Sequence, residues 1–289
     1  MAIKKREVNH SLPIHYSQNY IVNAGLIERL LEQSDIHADD EVLDIGAGKG
    51  IITQALLNLG CNVTAIELDE RNMMYLKKRF GGEKRCTLLS GDFLTMPLPK
   101  RNYKIFSNIP FFITSDILNK ITQAKNPPTA AYLVMQKQAA MKYCGTPETT
   151  LKSLLLKPRF HMTIVHHFSQ GDFSPRPGVE IVLLRICRRN TNELTAGEYA
   201  LYHDFICYCF QNNQTFSERI FSYRQLKELR KRHGISNFQA SALKYEEWIL
   251  LFKCFSQHTD AIKKSQVTGA YRKYLLQEAR LKKQYRGRK

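Results

Sequence analysis

The sequence predicts an α/β chain: a doubly wound, largely parallel sheet with helices on both faces, then a small all-α C-terminal domain. Three observations carry this. Short apolar runs alternate with amphipathic runs between residues 41 and 135, the rhythm of a parallel sheet crossed by helices. Glycines cluster in Gly46-Ala47-Gly48-Lys49-Gly50, where the first apolar run gives way to a helical pattern. From about residue 195 the strand signals stop, and helical periodicity takes over to residue 257.

The elements follow in order. Residues 1–16 are basic and without period, a flexible arm. Ser17-Gln18-Asn19-Tyr20 leads into an amphipathic helix from Asn23 to Gln33, apolar at Leu26, Ile27, Leu30 and Leu31. Strands are expected at Glu41–Ile45, Asn62–Ile66 (ending at Glu67), Arg85–Ser90 (ending near Asp92), Tyr103–Ser107 and Thr129–Met135. Helices are expected between them, at Ile51–Leu59, Glu70–Phe80 and Ile113–Gln123. Two further helical stretches, Gln136–Tyr143 and Thr150–Leu156, precede β-rich runs at Phe160–Phe168 and Val179–Arg188. Those two runs are joined by Phe173-Ser174-Pro175-Arg176-Pro177 and read as an antiparallel hairpin finishing the sheet. Arg188–Asn192 is a linker, and helices are expected at Glu198–Phe210, Ser222–His233 and Lys244–Ser256. The division is therefore 1–16 arm, 17–190 catalytic domain, 191–260 helical domain and 261–289 basic tail.

Composition narrows the partners. Of 289 residues, 43 are Lys or Arg and 26 Asp or Glu, a formal charge of +17. That excess points to a polyanion, RNA or DNA first. Arg219, Arg224, Lys227, Arg230, Lys231 and Arg232 make one basic face in the helical domain, and the tail after residue 261 has Glu278 as its only acid. No apolar run approaches the roughly 18 residues that span a bilayer, and Lys4-Lys5-Arg6 leads into no hydrophobic signal core. The expectation is a cytoplasmic protein without a membrane partner. The seven cysteines are scattered and match no zinc spacing, so no metal is expected.

The glycine turn selects the ligand. It lacks GxxxxGK[ST], and its third glycine is one position early for a dinucleotide fingerprint. With Asp44 two residues ahead, the compact form suits S-adenosylmethionine (SAM), whose carboxylate faces a helix N-terminus. Glu67 ends the next strand and suits ribose hydroxyls; Asp92 ends the third and suits an adenine amino group. The fourth ends in Ser107-Asn108-Ile109-Pro110-Phe111-Phe112. There an amide oxygen, a backbone held extended before proline and two aromatic rings suit a flat amino-heterocycle.

Through Ser17-Gln18-Asn19-Tyr20, Asp44 to Gly50, Ala65-Ile66-Glu67, Gly91-Asp92-Phe93, Ser107 to Phe111 and Phe173 to Pro177, the sequence resembles the ribosomal RNA adenine N6-dimethyltransferases. Within them it is most similar to the Erm macrolide-resistance methylases. The resemblance implies a Rossmann-like SAM-dependent methyltransferase that acts as a monomer on a flipped or single-stranded adenine of 23S rRNA. It also implies resistance to macrolide, lincosamide and streptogramin B antibiotics. It places Asn19, Ile21, Gly46, Gly48, Glu67, Leu68, Asp92, Phe93 and Asn108 at SAM. It places Asn108, Ile109, Pro110, Phe111 and Phe173 at the chemistry, with Phe111 and Phe173 stacking on the base. Phe111 stands where relatives carry Tyr, and Tyr20 where they carry Phe. Three alternatives stand beside this expectation: a small-subunit (16S) rRNA adenine dimethyltransferase, a non-catalytic nucleic-acid-binding factor on the same fold, and a nicotinamide dehydrogenase.

Overall fold

A computed structural model describes residues 19–190, 193–213 and 215–287, with side chains to Leu281. The N-terminal arm, Ser17-Gln18 and part of the expected linker lie outside the described residues. The chain divides into two compact units. One runs to Ala139 and includes Ile164–Cys187; the other comprises Ala140–Thr163 and the residues from Arg188 onward.

The first unit is built on a sheet whose strands are β2 (Glu41–Ile45), β3 (Asn62–Glu67), β4 (Cys86–Ser90), β5 (Lys104–Asn108), β6 (Ala130–Gln136), β7 (Phe160–His167, from Ile164 on) and β9 (Ile181–Arg188). Their order is β4-β3-β2-β5-β6-β9-β7. β2 to β6 are parallel; β9 runs antiparallel to β6, with β7 at the edge. Residues 130–135 of β6 are all buried, as a strand covered on both faces must be. The covering helices are α1 (Ala24–Glu32), α2 (Ile51–Asn58), α3 (Glu70–Phe80) and α4 (Thr114–Gln123). α1 buries Leu26, Ile27, Leu30 and Leu31, the four residues its periodicity selects. Strand order reverses between β2 and β5, and ligands of such sheets bind outside the strand ends at that point.

A short antiparallel ribbon was not foreseen. β1 (Tyr20–Ile21) pairs with β8 (Phe173–Ser174), matching Tyr20 with Ser174 and Ile21 with Phe173. Val22 N–H donates to Asp172 O at 2.9 Å, and Asn23 Nδ2 to Asp172 Oδ1 at 2.9 Å. Nothing in a two-residue strand advertises itself by period; its partner lies about 150 residues away.

The second unit includes α5 (Lys137–Cys144, from Ala140) and packs α6 (Leu151–Leu156), α7 (Glu198–Gln211), α8 (Phe216–Ile220), α9 (Tyr223–His233) and α10 (Tyr245–His258) around one apolar core. Trp248 sits at its centre, stacked on Phe216 at 5.4 Å and Phe210 at 5.8 Å. The unit takes in Ala140–Thr163, which the sequence reading placed with the sheet. Leu154 is the reason: it is fully buried in this core, and its carbonyl accepts from Tyr202 Oη at 3.1 Å. The basic tail, expected to be helical through Leu275 to Leu281, is helical over a longer span. It folds as α11 (Ala261–Val267) and α12 (Ala270–Gly287), with Val267 buried and the Asp204 carboxylate accepting from Gly269 and Tyr271 N–H at 2.9 Å. No helix is long and apolar enough to cross a membrane among the described residues.

Candidate active site

The site grows from the glycine turn after β2. Gly46, Gly48 and Gly50 all have positive φ (71°, 56° and 76°), a region that only glycine enters freely. At Gly50 a Cβ would stand 2.5 Å from the Phe80 ring, so the start of α2 needs glycine on both counts. Gly46 and Ala47 N–H donate to Ile66 O at 2.8 and 3.1 Å, fastening the turn to β3.

β2 and β5 are paired only at Val42–Lys104 and Leu43–Ile105. Beyond that a side chain takes over: Ser107 Oγ accepts from Ile45 N–H at 2.7 Å and donates to Leu43 O at 3.3 Å. The two strands separate toward their carboxyl ends, and a pocket opens there. Its walls carry Asn19, Gly46, Glu67, Leu68, Asp92, Phe93 and the run from Asn108 to Phe112.

Each expected residue can be placed. Glu67 is 3% exposed; its Oε2 accepts from Gly48 N–H and its Oε1 from Asp69 N–H, both at 2.8 Å. Each oxygen keeps a second acceptor site, which suits a vicinal diol. Asp92 is held by Leu94 N–H on Oδ1 at 2.8 Å, and Phe93 is buried beneath the pocket. Gly48, Ile21 and Asp44 line an adjoining cavity. Asp44 is buried; Thr53 Oγ1 donates to its Oδ2 at 2.7 Å, and its Oδ1 has no partner among the described residues. Burial, reinforced by the Glu67 charge, pushes its carboxyl up to about 7. An unpartnered buried carboxylate oxygen beside a glycine cradle requires a donor. The ammonium of an amino-acid ligand provides one, so these residues fit SAM.

At the β5 corner, Asn108 Nδ2 donates to Asn19 O at 2.8 Å. The amide nitrogen is thereby committed, which leaves Oδ1 to accept. Pro110 O accepts from Ile113 N–H at 3.2 Å, while nothing among the described residues donates to the carbonyl of Ile109. Two acceptors therefore remain at adjacent residues. Phe111 is half-buried against the core and Phe112 is 61% exposed, both lining the pocket.

Phe173 is a correction. It is 3% exposed, packed with Ile21 in the core and edge-on to Phe168 at 5.4 Å. Its ring presents no face to the pocket, because pairing with β1 turns it inward.

Two contributors, Tyr20 and Lys120, were not among the expected site residues. Tyr20 lies over Gly48, whose Cβ would stand 3.1 Å from the ring, and its hydroxyl accepts from Asn72 Nδ2 at 3.4 Å. Phe112, one of the two rings expected at this corner, lines the pocket and stays exposed. Lys120, on α4, donates to Phe93 O at 2.7 Å, Leu94 O at 3.0 Å and Met96 O, and sits 4.9 Å from the Phe93 ring centre. It clamps the Asp92 loop. Burial lowers its ammonium pKa, while Asp92 opposes that. In sequence it is one lysine on an amphipathic helix, with no signal to mark it.

Comparison with known proteins agrees with this geometry. The family pattern described as Ribosomal RNA adenine dimethylase matches residues 9–257. An rRNA adenine N-6-methyltransferase of Bacillus anthracis is 30% identical over 255 residues, covering 85% of this chain and 88% of that protein. A ribosomal RNA small subunit methyltransferase A of Fusobacterium nucleatum is 27% identical over 256 residues, covering 83% and 96%. The crystal structure of the 23S rRNA methyltransferase ErmE superposes with a TM-score of 0.76 at 24% identity, covering 83% of this chain and all of that one.

Proposed function

Because the chain belongs to the ribosomal RNA adenine dimethylase family, and is thus a SAM-dependent rRNA adenine N6-methyltransferase, we propose that its target is one adenine of the large-subunit (23S) rRNA. Methylation there would confer resistance to macrolide, lincosamide and streptogramin B antibiotics. The enzyme would act as a cytoplasmic monomer. The large-subunit target is supported by Asn108-Ile109-Pro110, where Ile rather than Leu leans toward the Erm methylases.

One observation carries the chemistry: the paired acceptors at the β5 corner. An exocyclic adenine N6 is a poor nucleophile because its lone pair is delocalised into the ring. Asn108 Oδ1 and Ile109 O would accept hydrogen bonds from its two N–H groups, draw the nitrogen toward tetrahedral geometry and release the lone pair, and one N6 proton would be lost to solvent as the methyl group is gained. Asn19 keeps the Asn108 amide from turning over, and the restricted backbone of a residue that precedes proline would steady the Ile109 carbonyl. SAM, when bound, supplies the electrophilic methyl group. Asp44 and the glycine turn would hold its amino-acid end, Glu67 its ribose, and Asp92 with Phe93 its adenine. Leu68, 53% exposed on the pocket rim, would cover it. The protein contributes positioning and electrostatics, with no covalent intermediate. The target base must leave its stack; Phe111, with Phe112 beside it, supplies the rings for it.

The test is transfer of labelled methyl from SAM into separated, protein-free large- and small-subunit rRNAs, with primer extension to locate the modified base. Label at one large-subunit adenine is expected. Label in the small-subunit RNA alone would assign the chain to ribosome maturation instead. Absence of label in both, with SAM bound, would favour a non-catalytic factor.

A further inference from the structure

Resting on the reading that the substrate is RNA, we infer that the exposed face of α9 docks an RNA strand. Tyr223 serves as a stacking platform for an unpaired base, and Arg224, Lys227 and Lys231 as phosphate contacts.

The rotation of α9 is fixed by Leu226 and Leu229, both buried in the core of the second unit. At 3.6 residues per turn, Arg224, Lys227 and Lys231 then lie on the opposite side, in a ridge about 10 Å long at 1.5 Å per residue. All three are exposed. Glu228 is the one acid of this helix, and Arg232 engages it at 2.7 Å. The ridge therefore presents its positive charge without a free carboxylate from its own helix. Arg219, grouped with this face on sequence, belongs instead to α8, where it donates to Thr215 Oγ1 at 3.1 Å.

Tyr223 is the decisive residue. It is 79% exposed, the highest value among the exposed large hydrophobics described. It opens α9 and stands one turn before Lys227. A solvated basic face needs no aromatic ring, and a ring left in water adds nothing to the core. Cations for the backbone combined with a free π-face for a base are what single-stranded nucleic acid requires. The platform is rigid: Ser222 and Gln225 cap the helix reciprocally, and Gln225 Nε2 donates to the His258 carbonyl at 3.0 Å. An anionic membrane fits less well, since a helix lying on lipid turns its apolar face outward and the leucines of α9 face inward.

The experiment uses the full chain and a fluorescein-labelled RNA stem–loop, with affinity measured by anisotropy across a salt series. Tyr223→Ala is expected to weaken binding about 5- to 100-fold. Replacing Arg224, Lys227 and Lys231 together by Gln is expected to flatten the slope of log affinity against log salt by about 2. Melting temperature and SAM binding should be unchanged in both variants. Wild-type RNA affinity and slope in both variants would overturn the inference. So would phosphatidylserine vesicle binding that the variants lose while RNA binding persists. Failure of the methylase proposal appears separately, as absence of label in rRNA, and does not alter these binding measurements.

Discussion

The corner after β5 and the ridge on α9 both suit RNA, and they do so by opposite means. At the corner, few groups act and each is held: Asn108 by Asn19, Glu67 by two backbone N–H groups, the Asp92 loop by Lys120. On α9 several interchangeable cations stand in water beside one ring. Preorganised acceptors in a pocket act through direction, whereas exposed charges act through number and are screened by salt. Single substitutions should therefore approach all-or-none at the corner and be graded on the ridge.

The largest effect is expected at Asn108. Asn108→Ala should lower single-turnover methyl transfer about 10²- to 10³-fold while calorimetry shows SAM affinity within several-fold of wild type. Surviving turnover would erase the contrast. Glu67→Gln comes next, since its amide NH2 would oppose the N–H of Gly48 or Asp69. SAM affinity should fall about 10- to 100-fold, measured by the same titration. Lys120→Met strips a donor from three carbonyls and should raise the KM for SAM about 5- to 10-fold with kcat changed less. Recovery in Lys120→Arg would mark Lys120 as a positioning residue.

Asp44 sharpens the comparison through pH. Its carboxyl is raised in the fold to about 7 from its ordinary 3.8, so the folded state binds the extra proton between those values. Its contribution to stability is present below about 4 and lost as pH rises to about 7. SAM affinity should climb over the upper part of that window as the carboxylate forms. Asp44→Asn should remove both dependences; thermal melts and titrations at pH 5, 7 and 8.5 would show it. The smallest effect is Lys227→Gln, which should weaken RNA binding a few-fold and reduce the salt slope by about 0.7–0.9. A loss as large as that at Asn108 would mean α9 is a directed site after all.

Much of the site was legible because its groups lie at strand ends. Asp44, Glu67, Asp92 and Asn108 each lie at or near the end of a strand, and a parallel sheet brings such ends to one edge. The glycine spacing fixed the kind of turn, and positive φ at Gly46, Gly48 and Gly50 is its physical content. Phe173 was not legible. A phenylalanine beside a proline-rich loop reads as an exposed ring, and only its pairing with β1 buries it. Lys120 was invisible, since a lysine reaching three carbonyls looks in sequence like a lysine reaching water.

By itself, then, the sequence determined the parallel sheet, the chemical character of each strand end and the basic helical region. Periodicity, glycine spacing and charge are local properties, and they survive without coordinates. The tertiary structure decided which groups meet: Asn19 with Asn108 across 89 residues, Lys120 with the Asp92 loop, β1 with β8. It also decided that the C-terminal segment folds onto α7 through Asp204. Such contacts depend on how distant segments close against one another, and hydrogen-bond direction is set only when both partners are in place.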